Sequence, residues 1–137
     1  GTLLRSAEAV GVAEVLCTKG AVDAYSPKVV RAAMGAHMRL ALTQDLSWDE
    51  TGERLSLVDH IYAAEAEARM PYYAPDWRQP SALIIGNEAH GLSDDAPALA
   101  RSMLGIPMRG RAESLNAAVA GSVILFEAQR QRMLGRS

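Results

Sequence analysis

The sequence predicts an α/β domain with a parallel β-sheet covered by helices on both faces. Short apolar runs alternate along the chain with segments of helical periodicity, an alternation typical of parallel strands joined by crossover helices. The apolar run at 81–86 is nearly continuous, as expected for a strand that is buried on both faces. These two features favour a parallel sheet over an antiparallel one.

Local signals fix the individual elements. Pro27 predicts the start of a helix, because proline is tolerated in the first helical turn, and Gly35 is expected to end that helix. Ser47 is predicted as an N-cap. The segment 70–80 contains three prolines and is predicted as a loop. The predicted strands cover 12–18, 38–43, 60–64, 81–86 and 103–108. The predicted helices cover 2–10, 27–34, 47–54 and 93–101, and a last helix is apolar over 115–126 and polar after Glu127.

The C-terminal helix is unusual in its composition. Between Leu115 and Phe126 the only polar residues are Asn116 and Ser122. A helix that is apolar all round is expected to be buried on nearly every side. The pattern therefore predicts a helix that passes through the core or across a subunit interface, with Ser114 as a plausible N-cap.

Composition indicates one globular domain over residues 1–137. The chain is 49% hydrophobic and 22% charged, with a formal net charge of -2. This charge does not favour a general nucleic-acid binder, although twelve of the fourteen basic residues are arginines, which suit phosphate recognition. The single cysteine, Cys17, cannot form an internal disulfide and is expected to be buried. A cytoplasmic protein is predicted, since no apolar stretch approaches the roughly 20 residues that span a bilayer.

Two C-terminal segments place glycine and compact polar groups directly after apolar runs. The first, 83–92, reads LIIGNEAHGL, and the second comprises IPMRG at 106–110 and SLNAAVA at 114–120. Such segments are typical of strands that end at a functional loop, because ligands bind at the carboxyl ends of parallel strands. An isolated Gly-Asn-Glu would more often be an ordinary turn. A third segment, GTLLRSA at 1–7, lies at the chain start.

These three segments, in this order, resemble the three motifs of the SpoU/TrmH class of the SPOUT superfamily, the RNA ribose 2'-O-methyltransferases. The resemblance implies a C-terminal trefoil knot, a homodimer, S-adenosyl-L-methionine as the cofactor, rRNA or tRNA as the partner, and no metal. The family's first motif has an asparagine two residues before the position of Gly1, preceded by a strand. That strand and an N-terminal RNA-binding module are expected to be absent from this sequence.

The resemblance also implies roles for individual residues. Cofactor-binding positions correspond to Gly86, Asn87, Ile106, Met108 and Leu115. Catalytic positions correspond to Arg5, Glu88, Ser114 and Asn116. A guanidinium stays protonated in proteins, so Arg5 is expected to clamp an RNA phosphate. Asn116 is predicted to bond substrate or cofactor, because a buried carboxamide without a partner is costly.

The leading interpretation is therefore a methyltransferase that acts on a ribose 2'-hydroxyl of rRNA or tRNA. One alternative is a knotted domain that binds RNA without catalysis, although the joint presence of Arg5, Glu88, Ser114 and Asn116 argues against it. Another is an α/β enzyme that uses a nicotinamide or nucleotide. The sequence lacks G-x-G-x-x-G and G-x-x-x-x-G-K-[ST], which weakens this third interpretation.

Overall fold

The structure is a computed structural model that describes residues 1–86, 92, 95–110 and 115–135. Contacts divide the chain into two compact units, Gly1–Arg54 and Leu55–Ser137. The single-domain organisation predicted from the sequence stays a prediction.

The first unit contains a two-stranded parallel sheet with short helices. Glu14 on the first strand lies opposite Ala41 on the second, and the register shifts after Leu16. Burial and, to a smaller degree, the Asp45 carboxylate raise the pKa of the Cys17 thiol, although this residue is half-buried and not fully buried as predicted. The elements in order are α1 (Thr2–Ala9), β1 (Glu14–Thr18), α2 (Pro27–Ala33), a 3-10 turn (Ala36–Met38), β2 (Ala41–Leu46) and α3 (Trp48–Arg54).

The predicted helix starts at Pro27 and Ser47 are confirmed. Pro27 occupies the first turn of α2, and the Ser26 hydroxyl caps that helix by accepting from the Val29 amide at 3.4 Å. At α3 the capping is reciprocal. The Ser47 hydroxyl accepts from the Glu50 amide at 3.0 Å, and the Glu50 carboxylate accepts from the Ser47 amide at 3.1 Å. This capping box satisfies two amides that the helix itself leaves unbonded.

The predicted strand at 38–43 is placed too early. α2 ends at Ala33, its C-cap Met34 has a left-handed φ of 51°, and Gly35 follows with a φ of 86°. Two consecutive left-handed residues turn the chain into the 3-10 turn before it can extend, because their backbone departs from the extended conformation. The strand consequently begins at Ala41.

The second unit contains a four-stranded sheet in the order β4-β6-β3-β5 among the described residues, and every neighbouring pair is parallel. The parallel α/β prediction is thereby confirmed. The core of this unit is formed by Trp77, Leu104 and Ile124. The elements are β3 (His60–Ala64), β4 (Met70–Pro71), β5 (Ser81–Ile84), α4 (Ala96–Leu99), β6 (Ser102–Gly105) and α5 (Ala117–Leu134).

Several boundaries differ from the predicted ones. The strand at 60–64 is confirmed, but β5 and β6 end at Ile84 and Gly105. The predicted loop 70–80 begins as a strand, since Met70 and Pro71 pair with Leu104 and Gly105. The helix predicted over 93–101 covers Ala96–Leu99, and part of its predicted span lies outside the described residues.

Helix α5 covers Ala117–Leu134, so the predicted apolar stretch is followed by a polar C-terminal part of the same helix. Its N-cap is Asn116, so the prediction of Ser114 as the cap is wrong. Within one chain only Gly121 and Ile124 are fully buried, whereas Val119 and Phe126 are 46% and 47% exposed. The prediction of burial on nearly every side is therefore not met by a single chain. None of the helices in the described ranges has the length and apolar character needed to cross a membrane.

Candidate functional site

The carboxyl ends of three parallel strands define one edge of the sheet in the second unit. Ala63 of β3 lies opposite Ile84 of β5 and Met103 of β6. Because the three strands run in the same direction, the residues that follow them leave the sheet at the same edge. Ligands of α/β proteins bind at this kind of edge.

A cavity of about 340 Å³ lies beside the end of β6, within the size range of small-molecule sites. One wall continues β6, and the other is the turn that follows β3. Its lining residues are Ala66, Glu67, Ala68, Arg69, Pro71, Gly105, Ile106, Pro107 and Met108. The cavity is therefore built from the carboxyl ends of two neighbouring strands.

Backbone hydrogen bonds hold the turn against β6. The Glu65 amide donates to the Leu104 carbonyl at 2.9 Å, and the Ala68 amide donates to the Glu65 carbonyl at 3.2 Å. On the other side the Tyr72 amide donates to the Gly105 carbonyl at 3.0 Å. The close approach of the turn to β6 requires glycine at position 105, since a Cβ on Gly105 would lie 2.5 Å from the Ala68 carbonyl oxygen.

The lining combines both signs of charge with apolar surface. Glu67 and Arg69 are exposed on the turn, while Ile106 packs against the core cluster and Met108 is 37% exposed. Such a cavity can hold a small molecule that carries an apolar body and separate positive and negative groups.

The segment between β4 and β5, residues 72–79, is held by α5. The Trp77 amide donates to the Gln131 side-chain oxygen at 2.8 Å, and the Arg132 guanidinium donates to the Trp77 carbonyl at 2.7 Å. The Trp77 indole donates to the Tyr72 carbonyl at 2.9 Å. These bonds fix the segment that follows Pro71 of the cavity lining.

Two titratable groups beside this segment are perturbed. Hydrogen bonds from Arg78 lower the pKa of the Asp76 carboxyl to about 2. Burial and the nearby Asp76 carboxylate raise the pKa of the Tyr62 phenol, whose ring packs on Trp77 with centroids 5.1 Å apart. Neither Asp76 nor Tyr62 lines the cavity.

The structure brings together two of the residues that the sequence predicted for cofactor binding. Ile106 and Met108 both line the cavity. Gly86 lies two residues beyond β5 at the same edge of the sheet, and Leu115 is half-buried immediately before α5. Asn87, Glu88 and Ser114 lie outside the described residues. The binding roles of all these residues stay predictions.

The two other predicted catalytic residues lie in different units. Arg5 is exposed on α1 in the first unit. Asn116 is exposed, and its side-chain oxygen accepts from the Ala118 and Val119 amides at 2.8 and 3.3 Å. The premise that the Asn116 carboxamide is buried is therefore wrong, and because its oxygen already accepts two hydrogen bonds, burial gives no reason to require a substrate partner. Its catalytic role stays a prediction.

The turn at 65–69 was missed by the sequence analysis. It contains no glycine and no recognisable motif, only alternating alanine and charged residues. The signal that could have found it is indirect. Gly105 directly precedes Ile106-Pro107-Met108, and a glycine at the end of a strand indicates that another backbone approaches closely.

Comparison with known proteins defines the class. The model of the family described as SpoU rRNA Methylase matches residues 1–126. This chain therefore belongs to the SpoU rRNA methylase family, as the three motifs predicted.

Individual relatives agree with this assignment. A mitochondrial rRNA methyltransferase 3A of Danio rerio is 36% identical over 98% of this chain and 41% of its own length. A 23S rRNA (uridine(2479)-2'-O)-methyltransferase of Streptomyces viridochromogenes is 34% identical over 100% of this chain and 50% of its own length. The chain thus spans about half the length of the curated relatives it matches.

The fold is shared with solved structures. The SpoU methyltransferase AviRb from Streptomyces viridochromogenes superimposes with a TM-score of 0.90 at 35% identity, over 98% of this chain and 55% of that chain. The same enzyme in complex with the cofactor AdoMet gives a TM-score of 0.87 at 34% identity, over the same shares of the two chains.

Proposed function

We propose that this chain is the cofactor-binding and methyl-transferring part of an S-adenosyl-L-methionine-dependent RNA methyltransferase that acts on a ribose 2'-hydroxyl of rRNA or tRNA. The observation that carries the proposal is the cavity at the end of β6, lined by Ile106 and Met108. Its support is the family membership and the AdoMet complex of the similar AviRb enzyme.

The residues present fit this cofactor. S-adenosyl-L-methionine combines a flat apolar base with a sulfonium, an ammonium and a carboxylate. The cavity offers apolar walls at Ile106 and Met108 and charged side chains at Glu67 and Arg69. Gly105 lets the Ala68 carbonyl lie where a Cβ would be, so the turn at 65–69 can form the second wall of the cavity.

The chemistry of each residue suggests a separate role in binding or orientation. The bound cofactor supplies an activated methyl group. Backbone groups at Ile106 and Leu115 would recognise the base, while Gly86 leaves room for close approach. The permanent charge of Arg5 suits an RNA phosphate, and Glu88, Ser114 and Asn116 would orient the ribose hydroxyl. Displacement at a methyl carbon depends above all on such alignment.

Calorimetry with S-adenosylhomocysteine tests the cofactor assignment. The unsubstituted chain should bind it, and Gly86→Val should lose that binding because the added side chain blocks close approach. Gly110→Ala is the matched control, since no described atom lies within 4 Å of a Cβ at that glycine. Unchanged affinity in Gly86→Val would place the cofactor elsewhere. Cofactor binding without methyl transfer to total RNA would favour the RNA-binding alternative.

We also propose that the chain forms a homodimer through α5. Val119 and Phe126 are about half exposed on a helix whose polar residues are concentrated in its last two turns, and apolar helix surface of this kind suits a subunit interface. Light scattering should report about twice 14.7 kDa, and Phe126→Glu should reduce that mass. A monomer in the unsubstituted chain would contradict this proposal. The predicted cytoplasmic location stays a prediction.

A further inference from the structure

The first unit presents an aromatic side chain in a loop that is firmly fixed. Tyr25 is 53% exposed, and its ring packs on His37 with centroids 5.1 Å apart. Its amide donates to the Asp23 carboxylate at 2.9 Å. The adjacent Ala24 is buried, and its amide donates to the Gln44 side chain at 2.8 Å.

A hydrogen bond from His37 also holds the loop at 23–26. The His37 ring nitrogen Nε2 lies 2.5 Å from the Ala24 carbonyl, and because a carbonyl can only accept, Nε2 carries the proton. The loop at 23–26 is therefore bonded both to β2, through Gln44, and to the 3-10 turn, through His37. An exposed ring that is already fixed loses little conformational entropy when a planar ligand stacks on it.

The helix that follows this loop, α2, carries two basic side chains. Lys28 and Arg31 are exposed and lie three residues apart on α2, so they share one face of the helix. Among the described residues neither side chain has a hydrogen-bond or ion-pair partner. Arg39, by contrast, is paired with Glu8 at 3.0 Å.

Charge is concentrated around this surface. Between Lys19 and Gln44 there are four basic side chains and one acidic. Because Arg39 is paired with Glu8, Lys19, Lys28 and Arg31 remain against Asp23, although the whole chain has a net charge of -2. The one acidic residue, Asp23, is engaged by the Tyr25 amide. A local excess of positive charge on an otherwise acidic protein indicates attraction for a polyanion.

We infer that Tyr25, Lys28 and Arg31 form a docking surface for single-stranded RNA, with a base stacked on Tyr25 and phosphates bound by Lys28 and Arg31. Aromatic stacking together with basic side chains is how proteins hold unpaired nucleotides. Exposed apolar side chains at Val30 and Met34 also lie on and just after α2, so contact with a second protein chain is the competing occupant, and the measurement of oligomeric mass below distinguishes the two. The inference rests on the proposed function, for which it names residues that hold the RNA outside the cofactor cavity.

Fluorescence anisotropy of the full chain with a labelled single-stranded RNA of about 20 nucleotides tests the inference. Tyr25→Ala should weaken binding about tenfold, whereas Tyr25→Phe, which keeps the ring, should not. Lys28→Ala and Arg31→Ala should each weaken binding and lower the slope of log affinity against log salt by about 0.7. Arg101→Ala is the matched control, because Arg101 is equally exposed but lies in the second unit, just before β6.

Equal effects of Arg31→Ala and Arg101→Ala, or no RNA binding by the unsubstituted chain, would overturn the inference. So would a change in oligomeric mass in Tyr25→Ala with RNA affinity retained, since that result would assign the surface to protein contact. Calorimetry with S-adenosylhomocysteine distinguishes failure of the docking-surface inference from failure of the proposed function. If cofactor binding is retained but substitution of Tyr25, Lys28 or Arg31 leaves the RNA affinity unchanged, the docking surface is refuted and the proposed function is not.

Discussion

Replacing Gly105 with alanine should destabilise the second unit and distort the candidate cavity. The added Cβ would lie 2.5 Å from the Ala68 carbonyl oxygen and 3.3 Å from the carbonyl carbon of the same residue. Both atoms belong to the backbone and cannot rotate away as a side chain could. The turn at 65–69 or the end of β6 must therefore move.

The size of the effect follows from this geometry. A non-bonded Cβ essentially never comes closer than 3.0 Å to another heavy atom, so the turn must shift by at least 0.5 Å. Forcing extra carbon into a closely packed site typically costs about 1–3 kcal/mol. The shift also strains the hydrogen bond from the Glu65 amide to the Leu104 carbonyl. We therefore expect the free energy of unfolding to fall by about 2 kcal/mol.

Urea denaturation and calorimetry with S-adenosylhomocysteine measure the two consequences separately. Gly110→Ala is the control within the same segment, and it should be neutral or stabilising by about 0.4–1 kcal/mol, because alanine restricts the unfolded chain. Gly105→Ala should be less stable than the control and should bind the ligand more weakly. If the two variants matched in stability and in affinity, the close approach at Gly105 would not shape the cavity, and the reasoning would be refuted.

Three further changes test individual features of the fold. Asn116→Ala should lower the free energy of unfolding by about 1 kcal/mol through loss of the helix cap, measured by urea denaturation, whereas Asn116→Asp should retain most of it; equal losses would argue against capping. Met34→Gly should raise the melting temperature, since φ is 51° at Met34 and relieving a left-handed non-glycine residue is worth about 1 kcal/mol. Asp76 has its pKa lowered from 3.8 to about 2 by Arg78, so its contribution to stability is complete above about pH 4 and is lost as the pH falls through 2. Thermal denaturation across this range should show that Arg78→Ala removes this part of the pH dependence, and an unchanged profile would contradict the assignment.

Elements whose signals are local could be predicted from the sequence. The start of α2 is determined by Pro27 and the start of α3 by Ser47 with Glu50, all within one helical turn of the boundary. The strand at His60–Ala64 was predicted with its observed bounds, because polar residues flank an apolar run. The motif segments identified the family for the same reason, since each is continuous in the sequence.

Features that depend on distant residues could not be predicted. Serine and asparagine are both favoured N-cap residues, so residue type alone does not decide between Ser114 and Asn116. The choice depends on where the chain can begin α5, which tertiary contacts decide. The turn at 65–69 becomes a cavity wall only because Gly105 lets it approach β6. Nothing in either segment alone reveals that approach. The burial of α5 was overestimated because apolar composition does not distinguish packing within a chain from packing between chains.

The bonds from α5 to the segment 72–79 also set an order of assembly during synthesis. Gln131 and Arg132 reach back to Trp77 across 54 and 55 residues of sequence. A ribosome releases the N-terminal part first, so Trp77 is made long before the side chains that fix its backbone. The second unit therefore cannot complete its fold until α5 has been released. Until then Trp77 and Leu104 lack the contact with Ile124 of α5 that completes the core.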